Sequence, residues 1–160
     1  MNIKDATPMR KQFENDKLIP NFIALMNEGH SVTFRLRGFS MRPFLEDGRD
    51  SVLLRKPTDE TRKGDVVLAE VAPGRYVLHR VVAVNGDNIT LRGDGNFGTE
   101  HCKTSDIHGF AVGFYRNGSK RLDSTNGIKW RVYSALWTRL LPIRRYLLFA
   151  YRAVRKLRRL

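Results

Sequence analysis

Cysteine is almost missing from these 160 residues, with Cys102 the single example. One cysteine forms no intramolecular disulfide and builds no thiolate zinc site, which fits a reducing compartment. Long apolar runs are missing too: no stretch of 18 apolar residues occurs, so no ordinary transmembrane helix is expected. The polar opening, Met1-Asn2-Ile3-Lys4-Asp5, lacks the apolar core of a secretory signal and is read as neither signal nor anchor. Acidic residues are absent from residues 124–160, where ten Lys and Arg residues stand. The net charge of +13 therefore belongs to that stretch, and residues 1–123 carry nineteen basic against sixteen acidic residues, a balance of +3. Metal-ligating side chains at a recognisable spacing are also wanting. His30, His101 and His108 have no partners so placed and read as surface or loop residues, and no cofactor or metal is implied.

What is present is a succession of short strands. Residues 1–30 read as a charged lead-in followed by a helix from Leu18 to Glu28, closed by Gly29, with Pro20 in its first turn. Residues 31–116 read as the β domain. Val32, Phe34 and Leu36 alternate with Thr33, Arg35 and Arg37, and further strands are expected over 51–55, 66–71, 76–84, 88–92 and 110–115. Pro73-Gly74, Asn85-Gly86-Asp87 and Asn117-Gly118 punctuate them. The spacing predicts a mainly antiparallel sheet or barrel. Residues 117–127 read as a polar linker. In residues 128–160, Trp130, Tyr133, Trp137 and Leu140 recur at helical spacing, Pro142 interrupts, and Ile143, Tyr146, Leu147, Ala150, Tyr151, Val154 and Leu157 resume with arginines between them. Such a tail either packs on the body or lies in a membrane interface; two tryptophans, three tyrosines and ten cations without an acid favour the membrane surface. Nucleic acid ranks last as a partner, because no helix-turn-helix or RNA-binding motif accompanies the charge.

Three segments carry candidate chemistry. In Gly38-Phe39-Ser40-Met41-Arg42-Pro43 a serine follows a strand end, with Gly38 allowing close backbone approach and Pro43 stiffening the chain beyond. A serine hydroxyl needs a neighbouring base. His79, in the apolar strand Val77-Leu78-His79-Arg80-Val81-Val82, has an ordinary pKa suited to that task. Gly93-Asp94-Gly95-Asn96 presents Asp94 on a turn, where a carboxylate fixes the tautomer of an imidazole. Asp65 and Arg80 read as braces of turns and neighbouring strands, and Cys102 as a small buried hydrophobe.

The ordered set Ser40-Met41-Arg42-Pro43, Gly64-Asp65-Val66-Val67, His79-Arg80-Val81-Val82 and Gly93-Asp94-Gly95-Asn96, spread over residues 33–96, resembles the signal peptidase I family and its LexA-type relatives. The resemblance implies a mainly β domain of coiled antiparallel sheets, a partly open barrel. It implies Ser40 as nucleophile, His79 as general base in the manner of the family's histidine branch, and Asp94 as its acidic partner. Gly38 stands where signal peptidases usually carry a serine, as in LexA-type proteins, so the oxyanion donors fall to the backbone of Ser40 and Phe39. Gly38, Met41 and Pro43 line the substrate side; the histidine branch often carries further acidic residues soon after the turn, and the run Phe97-Gly98-Thr99-Glu100 departs from that pattern in the third catalytic role. The expected function is a serine endopeptidase acting on an extended peptide or preprotein, bound peripherally to a membrane on its cytoplasmic side. The alternative is a peptide-binding module without chemistry on the same fold. A self-cleaving repressor is disfavoured, since 30 residues before the sheet are too few for a DNA-binding domain and no Ala-Gly dipeptide occurs.

Overall fold

The computed structural model describes residues 15–140 and 142–158. Most of the expected lead-in, Leu141 and the last two residues of the tail lie outside the described residues.

Helix α1 (Asn15–Asn27) buries Ile19 and Met26 and exposes its polar side. It begins one turn before Leu18, which puts Pro20 inside the helix rather than in its first turn. Gly29 ends it at φ +94°, a left-handed conformation that a Cβ disfavours. The N–H groups of Gly29 and His30 bond back to the carbonyls of Met26 and Leu25 at 3.0 and 3.1 Å, closing the last turn.

The strands are β1 (Val32–Arg35), β2 (Ser51–Arg55), β3 (Val66–Ala72), β4 (Arg75–Asn85), β5 (Asn88–Arg92), β6 (Glu100–Lys103), β7 (Ile107–Tyr115) and β8 (Leu122–Ser124). They form one antiparallel sheet in the order β1-β2-β7-β3-β4-β5-β6, with β8 also on β7. The sheet is open, since its outer strands β1 and β6 pair with one neighbour each. The expected strands are all present. Two more were not expected: β6, in the stretch after the Gly-Asp-Gly turn, and β8, which ties the polar segment 117–127 to Gly113, Phe114 and Tyr115. That segment is thus partly sheet. Three or four polar-rich residues carry too little periodicity to announce a strand; pairing with a long neighbour defines it.

Two apolar clusters hold the sheet. One joins α1, β1, β2, β3 and β7 through Met26, Val52, Leu54, Leu68 and Phe114, and the other gathers Val67, Val81, Ile89, Leu91 and Ile107. Helices α2 (Ile128–Arg139) and α3 (Arg144–Leu157) follow the last strand. Trp130 of α2 meets Phe44 and Phe114 at ring distances of 4.8 and 4.7 Å, and Tyr133 stacks on Phe44 at 4.4 Å. Arg116 caps Phe44 from its other side, 3.6 Å from the ring centre. This aromatic group fastens the segment after β1 to the sheet and to α2.

Phe114→Ala is expected to lower unfolding stability by about 3–5 kcal/mol, because a fully buried ring leaves a cavity between sheet, Phe44 and Trp130. Denaturant titration followed by tryptophan fluorescence measures it.

Candidate active site

The segment 36–50 leaves β1 and returns to β2 as a compact loop. Leu36 and Asp50 close its neck, with Leu36 N–H on the Asp50 carbonyl at 2.8 Å and Gly48 N–H on the Leu36 carbonyl at 2.9 Å. Gly38, at φ +83°, donates its N–H to Asp47 Oδ1 at 2.8 Å. Met41, Phe44 and Leu45 plug the loop into the core, while Phe39 stays exposed and Ser40 is half-buried. Asp50 is wholly buried and accepts from the N–H groups of Glu46 and Asn117 at 2.9 and 3.0 Å and from Arg49 at 2.7 Å. Burial alone would raise its pKa; the Arg49 and backbone donors outweigh that and hold it below the ordinary carboxylate value.

The turn Gly93-Asp94-Gly95 presses directly on this loop. Gly95 N–H bonds the Ser40 carbonyl at 2.7 Å. A Cβ on Gly95 would stand 2.5 Å from the Phe39 carbonyl oxygen. A Cβ on Gly93 would stand 2.5 Å from the Ser40 carbonyl oxygen and 3.0 Å from His79 Nε2. Both glycines are therefore required by proximity, their φ angles being unremarkable. The Gly93 contact also fixes the main relation at the site: the backbone of Ser40 and the free nitrogen of His79 converge on one point. Among the described residues no hydrogen bond joins the Ser40 hydroxyl to His79.

His79 lies on β4 opposite Val67 and is buried. Its Nδ1 is 2.8 Å from Glu100 Oε2, and Glu100 also receives Arg75 at 3.3 Å. An ionised carboxylate only accepts, so Nδ1 carries the proton and the lone pair of Nε2 faces the Gly93–Ser40 contact. Burial pulls the imidazole's pKa below its ordinary value, and the charge and hydrogen bond of Glu100 only partly offset that pull. The ring is thus held neutral and oriented at neutral pH.

Asp94 was expected beside His79, and here the structure differs. Its carboxylate is clasped by Arg80, Nε to Oδ1 and Nη2 to Oδ2 at 2.8 Å each, and takes the Tyr133 hydroxyl at 2.8 Å. Its carbonyl accepts the Trp137 indole N–H at 3.1 Å. The partner of His79 is Glu100, first residue of the unexpected strand β6. The physical reason is alternation along β4: Arg80 and His79 are adjacent and point to opposite faces, so an acid bound by one is turned from the other. The sequence did carry a signal for Glu100, an acid shortly after the glycine turn; what it lacked was the strand that aims it.

Around Ser40 a small cavity of about 30 Å³ is lined by Gly38, Met41, Leu36, Leu45 and Leu78. Of the expected substrate-side residues, Gly38 and Met41 border it and Pro43 does not. A larger cavity, about 840 Å³, opens between the 59–66 segment and α2 and includes none of Ser40, His79 or Glu100. Cys102 is half-buried, and burial followed by the charge of Asp106 pushes its thiol up to about 11, so it remains a protonated thiol at neutral pH. Among the described residues no three His, Cys, Asp or Glu side chains are grouped to hold a metal ion.

Compared with known proteins, the chain matches no family model and no curated protein.

Asp94→Ala should cost about 3–5 kcal/mol in unfolding free energy, since it strands the buried Arg80 guanidinium. Gly95→Ala should cost about 1–3 kcal/mol by forcing the turn off the Phe39 carbonyl. Chemical denaturation of both proteins checks the two values.

Proposed function

We propose that the chain is a serine endopeptidase of signal peptidase type, with Ser40 as nucleophile, His79 as general base and Glu100 orienting the base. The observation that carries the reading is that the Ser40 carbonyl oxygen and His79 Nε2 both lie beside Gly93, with the other ring nitrogen of His79 held by a carboxylate. The ordered motifs resembling the signal peptidase and LexA-type families support it, as does a mainly antiparallel β domain.

In this reading a peptide lies extended along the free edge of β1, the strand that runs into the serine loop. Ser40 Oγ attacks the scissile carbonyl carbon while His79 Nε2 takes its proton. Backbone N–H groups of Ser40 and Phe39 receive the oxyanion. The C–N bond breaks as His79 returns the proton to the leaving amine, and water repeats the sequence to free the acyl group. Asp94 takes no part in the proton transfers; it fixes the turn against which the serine loop rests. The small cavity beside Ser40 suits a side chain of alanine size rather than an aromatic one.

A second reading, a peptide-binding module that performs no chemistry, is favoured by one observation: the Ser40 hydroxyl makes no hydrogen bond to His79 among the described residues. A fluorophosphonate probe separates the two. Covalent labelling of wild type, lost in Ser40→Ala with an unchanged unfolding midpoint, supports the enzyme; no labelling supports the binding module.

The pH dependence follows from the direction of the His79 shift. A base works only when neutral, and its pKa lies below 6.5, so kcat/KM should rise with pH along an acid limb centred below 6.5. Glu100 raises that pKa, so Glu100→Gln should move the limb to still lower pH while cutting kcat about 10²-fold or more. Steady-state rates on a short peptide ester between pH 4 and pH 9, a range of roughly two units or more on either side of the ordinary histidine value, read both.

A further inference from the structure

Helix α3 is mounted in reverse. The residues it turns to the body are Arg144, Leu148, Tyr151 and Arg155, spaced one helical turn apart. Arg144, almost fully buried, donates to the Gly93 carbonyl at 2.7 Å. Arg155 pairs with Glu46, which also takes the Tyr151 hydroxyl at 3.1 Å. Burial alone would raise the Glu46 carboxyl; Arg42, Arg155 and Tyr151 overcome this and hold it low. The opposite side carries Ile143, Tyr146, Leu147, Phe149, Val154 and Leu157, all exposed, with Phe149 at 75%, Tyr146 at 73% and Leu157 at 70%. A helix on a water-soluble body normally turns such a face inward. Here the inward side holds Leu148 among the polar bonds of Arg144, Tyr151 and Arg155, and the larger apolar face stays exposed.

We propose that this face of α3 docks on an anionic phospholipid surface. At 100° per residue, the apolar residues fill one side of the helix, with Arg145, Arg152 and Lys156 along one border and Arg158 along the other, all exposed. Buried apolar side chains flanked by cations at headgroup level are the anatomy of an interfacial helix. The whole stretch from residue 124 onward carries no acid, so nothing on it repels anionic headgroups. A second copy of this chain is a poor occupant, since it would bring the same cationic borders and a net charge of +13 against another +13. A nucleic acid would satisfy the cations and leave the apolar side chains in water.

The docking also places the candidate site. A cavity of about 130 Å³ separates the inner side of α3, at Leu148, Tyr151 and Arg152, from Phe39, Arg42 and Gly95 of the serine loop and turn. With α3 on lipid, the serine loop faces the bilayer across the width of the helix and that cavity. Resting on the peptidase reading above, this makes the substrate a peptide chain presented at a membrane surface.

Co-sedimentation of the full chain with phosphatidylcholine vesicles, with and without phosphatidylglycerol, tests the docking. The expected result is binding to the anionic vesicles at least about tenfold tighter than to the neutral ones. The triple variant Tyr146→Ser, Phe149→Ser, Leu157→Ser keeps the net charge and touches only exposed positions. It should lose about tenfold or more in partitioning at an unchanged unfolding midpoint. Ser40→Ala should bind as wild type does, so failure of the enzyme reading leaves this result untouched. Absence of vesicle binding overturns the proposal, as does binding that the serine triple leaves unaltered. A lipid-free dimer that the triple abolishes, or retention on duplex DNA without vesicle binding, assigns the face to another occupant and overturns it equally.

Discussion

The candidate site depends on one buried ion pair. Arg80 and Asp94 are 2% and 1% exposed, and charges so deeply placed survive only if their hydrogen-bonding capacity is met. It is met: Asp94 takes both prongs of the guanidinium and the Tyr133 hydroxyl, and the remaining Arg80 nitrogen reaches the Gly64 carbonyl and Ser134 Oγ at 3.1 and 2.7 Å. Trp130 and Tyr133 close over the guanidinium at 4.9 and 5.6 Å. Burial opposes the charge on Arg80, and the Asp94 hydrogen bonds outweigh it, so the pair stays ionised. In that way β4, the glycine turn, the 64–65 corner and α2 become one unit. The Ser40 loop then rests on the turn through a glycine contact that admits no side chain.

The same economy governs the other charges near the site. Glu46 is matched by Arg42 and Arg155, Asp50 by Arg49, and Glu100 by Arg75 and His79. Three of these acids fix backbone: Asp50 the neck of the serine loop, Glu46 the seat of α3, Asp94 the turn. Glu100 alone meets an imidazole. Its distinction lies in position, at the start of a strand two places across the sheet from β4, rather than in its own chemistry. Two carboxylates only six residues apart thus serve unlike ends, one holding structure and the other aiming a ring.

Much of this was legible from the chain. Alternation marked β1, and short apolar runs between turn residues marked β2 to β5 and β7; β3 does not alternate, because Val66 and Leu68 enter one core cluster and Val67 and Ala69 the other. Ser40, His79 and the Gly-Asp-Gly turn were marked by their order, and the fold does bring them to one place. The acidic partner of His79 was not legible. Asp94 has the more conspicuous setting, and choosing between it and Glu100 requires knowing which face of β4 each approaches. That depends on the register of β5 and β6, which long-range pairing decides. Gly93 and Gly95, too, were legible only as turn residues, whereas they are needed for closeness, a property of two segments some fifty residues apart.

Helix α3 carries the same lesson further. Its periodicity is plain in the sequence, an apolar stripe and a basic stripe, and the ordinary hydrophobic argument turns the first inward. What reverses it is a small number of long-range polar bonds: Arg144 to the Gly93 carbonyl, Arg155 and Tyr151 to Glu46. Each reaches a residue that the serine loop or its supporting turn already holds in place. Arginines that look like part of a free cationic tail are thereby spent inside the protein, and the tail's remaining cations stand beside apolar side chains rather than opposite them. A helix gains by facing its apolar side outward only when the surroundings on that side are not water. On the docking proposed above, the reversal and the acid-free composition of the tail share one explanation, an anionic apolar interface. The contacts that hold the helix the wrong way round are the ones that reach the serine loop and its supporting turn.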